Sequence, residues 1–201
     1  ERFAGLTGRL IKDSHAKVVL LGSEDEKPIA EIILKALICH CEEPEATKQS
    51  RRLRAKQGDL KEIASATSWP RNDGSRIVDL VGKLSLKELA AVISELKLLI
   101  CNDGGPLHMA VALGVKTLSI FGPVDEKVYG PYPQGVNHIV VKKELSCRPC
   151  YKDFRFTGCR NNRKCLEEIT VEEVHEQVKG LIGEKGVRPI QGAIDALGQT
   201  P

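Results

Sequence analysis

The sequence predicts an α/β protein: an open parallel sheet with helices on both faces. Three observations lead there. Short β-branched runs alternate with amphipathic helical segments along the chain. Those runs are apolar at successive positions, the pattern of strands covered on both faces. The length of 201 residues is enough to bury a core and suits one large domain.

Phe3, Leu6, Leu10 and Ile11 fall at helical spacing and predict an opening helix. Ala16 to Leu21 (AKVVLL) predicts a buried strand ending at Gly22. A helix is expected from Glu26 to Ile38, with Ile29, Ile32, Ile33 and Ala36 on one face. Ser23 and Glu26 have capping-box spacing, but an N-cap at Asp25 keeps Pro28 among the positions whose N–H lacks a helical partner, and is preferred.

From Glu42 to Arg76 the periodicity disappears, and the segment reads as an inserted polar loop (42–76) with a short helix near Leu60 to Ala64. Its basic cluster Arg51-Arg52-Leu53-Arg54 reads as a solvated face rather than a binding patch. Regular structure resumes with a strand at Ile77 to Val81. The capping box Ser85-Leu86-Lys87-Glu88 then opens a helix with Leu86, Leu89, Ala90, Ile93 and Leu96 on its apolar face. Strands are expected at Leu98 to Cys101, Lys116 to Phe121 and Asn137 to Val141, with a helix from Pro106 to Leu113. A second capping box, Thr170-Val171-Glu172-Glu173, starts a final helix burying Val174, Val178, Leu181 and Ile182; residues 183–201 are expected to form a flexible tail.

Composition excludes some classes. Thirty Lys and Arg against 27 Asp and Glu leave a net charge of +3, too small to indicate a polyanion binder. No apolar run approaches the roughly 18 residues that span a bilayer. The N-terminus Glu1-Arg2-Phe3-Ala4-Gly5-Leu6 has neither an initiator Met nor the regions of a signal peptide, and reads as cut from something longer. Seven cysteines, an odd number in a chain too large to need staples, favour a reducing cytosol.

The most informative segment is LLICNDGGPLHMAVALGVKTLSIF, Leu98 to Phe121: strand, glycine-bearing turn, helix beginning with proline, strand. In open α/β sheets ligands bind at the carboxyl ends of strands, where helix N-termini present free N–H groups. With Gly105 as N-cap and Pro106 first in the helix, the amides of Leu107 and His108 are expected to be free, and the His108 imidazole to lie in the first turn. Two readings stand side by side: a diphosphate cradle, or a turn whose Gly, Asp and Pro only shape a helix start. The segment matches neither the G-x-G-x-x-G nor the Walker pattern.

The stretch NDGGPLHMAVALGVKTLSIFGPVDEKVYGP resembles the signature of glycosyltransferase family 9, the heptosyltransferases of lipopolysaccharide core assembly. VVLLGSEDE, VGKLSLKEL, Cys147-Arg148-Pro149-Cys150 and Cys165-Leu166-Glu167-Glu168-Ile169 extend the likeness. The resemblance implies the C-terminal, Rossmann-like half of a GT-B enzyme, with residues 1–182 forming the nucleotide-sugar-binding domain. It implies that Asp103, Gly104, Gly105, Pro106 and His108 bind the diphosphate of ADP-heptose and that Glu26 holds the ribose hydroxyls. Glu26 also suits simple charge complementation of a helix N-terminus, and Asp103 suits a cap. The implied partners are a lipid-anchored saccharide acceptor and a missing N-terminal domain carrying the catalytic Asp, so no catalytic residue is expected in this chain and the isolated fragment is expected to be inactive. The implied location is cytoplasmic, peripheral on the inner face of the cell membrane. Where the family usually carries Ser or Thr this chain has Gly104, which keeps the N–H and loses a hydroxyl donor.

The loop 147–165 holds Cys147, Cys150, Cys159 and Cys165, four thiols within 19 residues. They are candidates for a structural zinc, although the chemistry requires no cofactor; free or paired cysteines pinning a loop are the other reading. Nearby Arg148, Lys152, Arg155, Arg160, Arg163 and Lys164 would offset thiolate charge. Cys39 and Cys41 flank His40 as ordinary thiols, and Cys101 belongs to a strand core. Two rival functions remain: another nucleotide-sugar transferase or epimerase of the same fold, and a zinc-clasped module binding nucleic acid. Salt-dependent oligonucleotide binding would mark the second. With one Trp, three Tyr and four Phe there is little to stack bases on, and no nucleic-acid partner is expected.

Overall fold

The computed structural model describes residues 2–38, 76–133, 135–152, 154–156 and 158–183. The expected loop 42–76 apart from Arg76, the cysteines 39 and 41 with His40, and the expected tail beyond Gly183 lie outside the described residues. The chain divides into two compact units, Glu1–Val92 and Ile93–Pro201.

In the first unit, α1 (Arg2–Ser14) is followed by β1 (Val18–Leu20), a 3-10 turn (Glu24–Glu26), α2 (Lys27–Ile38) and β2 (Ile77–Asp79). β1 and β2 pair in parallel, Val18 opposite Ile77 and Leu20 opposite Asp79. α1 buries Ala4, Leu6, Thr7 and Leu10, and Phe3 stays at the rim. Ala4, Ile33 and Leu37 form a core cluster with Leu20, Ala36 and Ile77 packed against it. The buried stripe of α2 is thus Ala30, Ile33 and Leu37, while Ile29 and Ile32 are each 56% exposed, contrary to expectation. Both stripes obey i, i+3, i+4 spacing and share Ile33 in a helix rich in apolar residues, so docking rather than periodicity decides between them.

The start of α2 also differs. Ser23, not Asp25, is the cap, and it caps the 3-10 turn. That turn absorbs three residues before α2 begins at Lys27, so Pro28 is second in the helix, where its missing N–H costs nothing.

The loops leaving β1 and β2 are cinched together: the Gly82 N–H donates to the Gly22 carbonyl at 2.9 Å. Gly82 has φ +66°, and a Cβ there would lie 3.0 Å from the Glu24 Cα, backbone that cannot swing aside. Gly82→Ala is therefore expected to cost about 1–3 kcal/mol through left-handed strain. It should lower the urea midpoint at unchanged slope; an unmoved midpoint would show that the turn relaxes freely.

The capping box of Ser85 is present, with the Ser85 N–H donating to Glu88 Oε2 at 2.7 Å, and it opens α3 (Leu86–Ser94). Val92 and Ile93 are buried, but Leu86, expected on the apolar face, is 72% exposed at the first position of the helix.

The second unit continues with β3 (Leu98–Asn102), α4 (Gly105–Ala112), β4 (Lys116–Ile120), α5 (Glu126–Tyr129) and β5 (His138–Val141). Then come the two-residue strands β6 (Tyr151–Lys152) and β7 (Arg155–Phe156), α6 (Lys164–Glu167) and α7 (Val171–Gly183). β3, β4 and β5 form a parallel sheet with β4 central. α4 packs on β3 and β4, and α7 on β4. Thr117, Leu118, Ser119 and Phe121 are fully buried, and the two hydroxyls are satisfied, Thr117 Oγ1 with His138 Nδ1 (3.0 Å) and Ser119 Oγ donating to the Ile139 carbonyl (3.3 Å). The Thr170 capping box forms as expected, its N–H donating to Glu173 Oε2 at 2.8 Å. α7 buries Val174, His175, Val178 and Leu181, whereas Ile182 is 47% exposed. The β6–β7 hairpin is antiparallel and was not expected; strands of two residues leave no periodicity to read.

Candidate functional site

Paired parallel strands bring their carboxyl ends to one place, and Asn102 of β3 lies opposite Ile120 of β4. The turn after β3 is anchored there: the Asp103 N–H donates to the Ile120 carbonyl at 3.3 Å. The N-cap of α4 is Gly104 (φ 167°, ψ −178°), one residue earlier than expected, and Pro106 is second in the helix. This changes which amides are available. The Leu107 N–H donates to the Gly104 carbonyl at 3.1 Å and is not free. The His108 amide, by contrast, has no hydrogen-bond partner among the described residues, as expected. At this helix mouth the amides without a partner among the described residues are those of Gly104, Gly105 and His108.

No side chain caps this helix, so the alternative role for Asp103 is not the one it fills. The Asp103 carboxyl is half-buried, and burial pushes its pKa up while the nearby His108 pulls it back. A carboxyl that protonates more easily repels a neighbouring phosphate less. His108 and Gly105 are exposed, and nothing lies within 4 Å of where a Gly105 Cβ would stand. The site is an open helix mouth with backbone donors at Gly104, Gly105 and His108, the positive end of the helix dipole and an adjacent imidazole.

Glu26 lies in the first unit, where it performs the capping role. Its Oε2 accepts from the Ser23 N–H (2.7 Å) and the Ser23 hydroxyl (3.1 Å). Gly22 makes this possible, because a Cβ there would stand 2.8 Å from that oxygen.

Sequence reasoning missed the support of the loop after β4. Arg148, expected only to offset thiolate charge, is a buried clamp. Its Nε donates to the Gly122 carbonyl (2.6 Å), Nη1 to the Lys143 carbonyl (3.0 Å) and Nη2 to the Val124 carbonyl (3.1 Å). Nη2 also reaches Glu126 Oε2 at 3.3 Å. The Pro123 carbonyl accepts from Cys150 and Tyr151 at 2.8 and 3.2 Å. The one available signal was an arginine, a long cation, embedded in a C-x-x-C turn otherwise suited to burial.

Cys147, Cys150, Cys159 and Cys165 line one cavity of about 80 Å³. All four are free thiols. Among the described residues no group of three or more His, Cys, Asp or Glu is already arranged to hold a metal ion. Burial raises the pKa values of Cys150 and Cys165, whereas backbone N–H groups of Arg163 and Asn161 lower that of exposed Cys159. Cys101, on β3, is half-buried rather than core, and burial pushes its thiol up to about 12, with Asp103 adding to it. Among the described residues no helix is long and apolar enough to cross a membrane.

Comparison with known proteins agrees with this architecture. The sequence profile described as "Glycosyltransferase family 9 (heptosyltransferase)" matches residues 54–158, a range that includes the β3–α4–β4 segment and Arg148. A lipooligosaccharide heptosyltransferase 2 of Campylobacter jejuni is 34% identical over 107 residues, 53% of this chain and 32% of that protein. A lipopolysaccharide heptosyltransferase 1 of Pseudomonas aeruginosa is 36% identical over 70 residues, 35% of this chain and 19% of that protein. The chain therefore spans about a third or less of the length of these relatives. Among solved structures, the ADP-heptose LPS heptosyltransferase II of E. coli superposes with a TM-score of 0.59 at 19% identity, covering 92% of this chain and 42% of that one. A family 9 glycosyl transferase of Veillonella parvula gives 0.56 at 23% identity, covering 91% and 41%. Parallel sheets flanked by helices, a glycine-capped helix mouth at the strand ends and a family profile matched over half its length place the chain in glycosyltransferase family 9, the heptosyltransferases.

Proposed function

We propose that this chain is the donor-binding portion of a heptosyltransferase, taking the diphosphate of ADP-heptose at the mouth of α4. One observation carries the reading: Gly104 and Gly105 present amides without partners among the described residues, at a helix N-terminus that no side chain caps. His108 donates to a phosphate oxygen as the nucleotide settles. In the first unit, Glu26 uses Oε2 for its capping bonds and keeps Oε1 for a hydroxyl donor. As the glycosidic bond to the departing ADP breaks, negative charge grows on the diphosphate, and the fixed N–H dipoles stabilise it without reorganising. The acceptor is a lipid-anchored saccharide of lipopolysaccharide, approached from the inner face of the cell membrane. A carboxylate of a separate acceptor domain deprotonates its hydroxyl. On this reading the 201-residue chain binds donor and does not turn over by itself.

A thermal-shift panel of ADP, UDP and GDP tests the donor. ADP is expected to raise Tm, with a shift that grows with concentration above Kd. Stabilisation by UDP or GDP alone would replace the heptosyl reading with transfer of another nucleotide sugar. Sugar transfer by the isolated chain would overturn the division of labour.

A further inference from the structure

The donor reading uses none of the thiols of the second unit, yet the fold gathers four of them. Cys147 and Cys150 come from one turn, Cys159 and Cys165 from the segment entering α6, and all four line the same cavity. No Asp, Glu or His lines it, while Arg163 and Lys164 do. The backbone is shaped around one sulfur in particular. Asn162 and Arg163 are successive non-glycine residues at positive φ (46° and 56°), a conformation that persists only where its surroundings impose it. Its result is that the Arg163 N–H donates to Cys159 Sγ at 3.0 Å, a bond that favours sulfur in its anionic form.

Among the described residues the intervening chain is held by the Pro123 carbonyl, which accepts from Cys150 and Tyr151, and by edge contacts of Tyr129 with Tyr151 and Phe154. Phe154 and Phe156 are 80% and 54% exposed, and β6 and β7 supply two residues each. A segment with so small a core gains from a cross-link or a metal. Four sulfurs without an oxygen ligand select a soft, tetrahedral ion.

We propose that Cys147, Cys150, Cys159 and Cys165 bind one Zn²⁺ as thiolates and that the ion clasps this loop. The Cys150 thiol donates to the Cys147 carbonyl at 2.9 Å. Zinc entry replaces that bond with Zn–S, gathers the four side chains by rotation about Cα–Cβ, and releases the thiol protons to solvent.

The test is Co²⁺ titration of the reduced 201-residue chain, followed by displacement with Zn²⁺. Expected are thiolate-to-cobalt charge-transfer bands with the strong visible bands of a tetrahedral site, saturating at one Co²⁺ per chain and abolished by Zn²⁺. Cys159→Ser and Cys150→Ser should each weaken binding by at least ~100-fold, beyond the range seen for outer-shell partners. Cys101→Ser, outside the cavity, should leave the titration unchanged. If a serine variant fails to fold, Cys159→His, which keeps a ligand, should retain one Co²⁺ with a shifted spectrum. Absence of the charge-transfer bands in the reduced wild-type chain overturns the proposal. So does cobalt uptake that survives loss of Cys150 and Cys159 together.

Discussion

Arg148→Ala is expected to destabilise the second unit by about 3–5 kcal/mol, because several part-buried acceptors lose their donor at once. The arginine side chain is 6% exposed and serves four acceptors: the carbonyls of Gly122, Lys143 and Val124 and the Glu126 carboxylate. Glu126 is not left alone by the change, because Lys142 Nζ remains 2.5 Å from its Oε1. Most of the loss comes instead from carbonyls stripped of a donor in a part-buried setting, about 1–3 kcal/mol for each one left unsatisfied. Arg148→Lys should rescue little, since an ammonium is a point charge and cannot reproduce a fork directed at three separated carbonyls. Chemical denaturation monitored by tyrosine fluorescence measures both variants; a loss under about 1 kcal/mol for Arg148→Ala would mean that water replaces the clamp.

The same cluster gives acid sensitivity a sign. Burial by itself would raise the Glu126 carboxyl, but the Lys142 hydrogen bond, with the charges of Lys142 and Arg148, holds it below its ordinary 4.5. A folded-state value below the unfolded one stabilises the protein above pH 4.5, and that contribution is lost as pH falls through the folded value. Glu126→Gln should therefore flatten the acid limb of the stability profile, in addition to its cost near neutrality.

What the sequence made legible, and what it did not, follows from the range of the interactions. The capping boxes at Ser85 and Thr170 are signals contained in four residues, and both form as read. The parallel strands declare themselves through continuous apolar runs, and all five expected strands are present with ends shifted by a residue or two. The α4 mouth was located correctly but capped one residue late, because glycine at either position leaves no side-chain signal to choose between them. The face of α2 was misjudged because two stripes of equal periodicity compete and only the partner element selects one. In the sequence Arg148 shows only as a cation to offset thiolate charge, because its acceptors are backbone carbonyls at positions 122, 124 and 143, and backbone acceptors have no sequence identity. The convergence of the four cysteines was legible as spacing; the left-handed pair at Asn162 and Arg163 that aims an amide at Cys159 was not.

Gly104→Ser should tighten ADP binding by ~10- to 150-fold, the equivalent of one hydrogen bond to a charged group at about 1.5–3 kcal/mol. The backbone permits the change: Gly104 has the extended φ of 167°, open to any residue. A Cβ there would meet only Pro106 Cδ at 3.9 Å, ordinary van der Waals contact. A serine at this N-cap places its hydroxyl at the mouth of α4, where the oxygen can accept from the Leu107 amide while its proton points outward to a phosphate. The capping part is worth only a few tenths of a kcal/mol relative to glycine and appears in Tm without ligand. The phosphate part appears only in the ADP dissociation constant, so calorimetric titration separates the two. Gly104→Ala supplies the comparison, with a side chain at the same place but no hydroxyl, and should lose the cap without gaining the phosphate bond. If Gly104→Ser raises Tm slightly but leaves ADP affinity where it was, the diphosphate does not lie against α4, and the two unpaired glycine amides serve some other ligand.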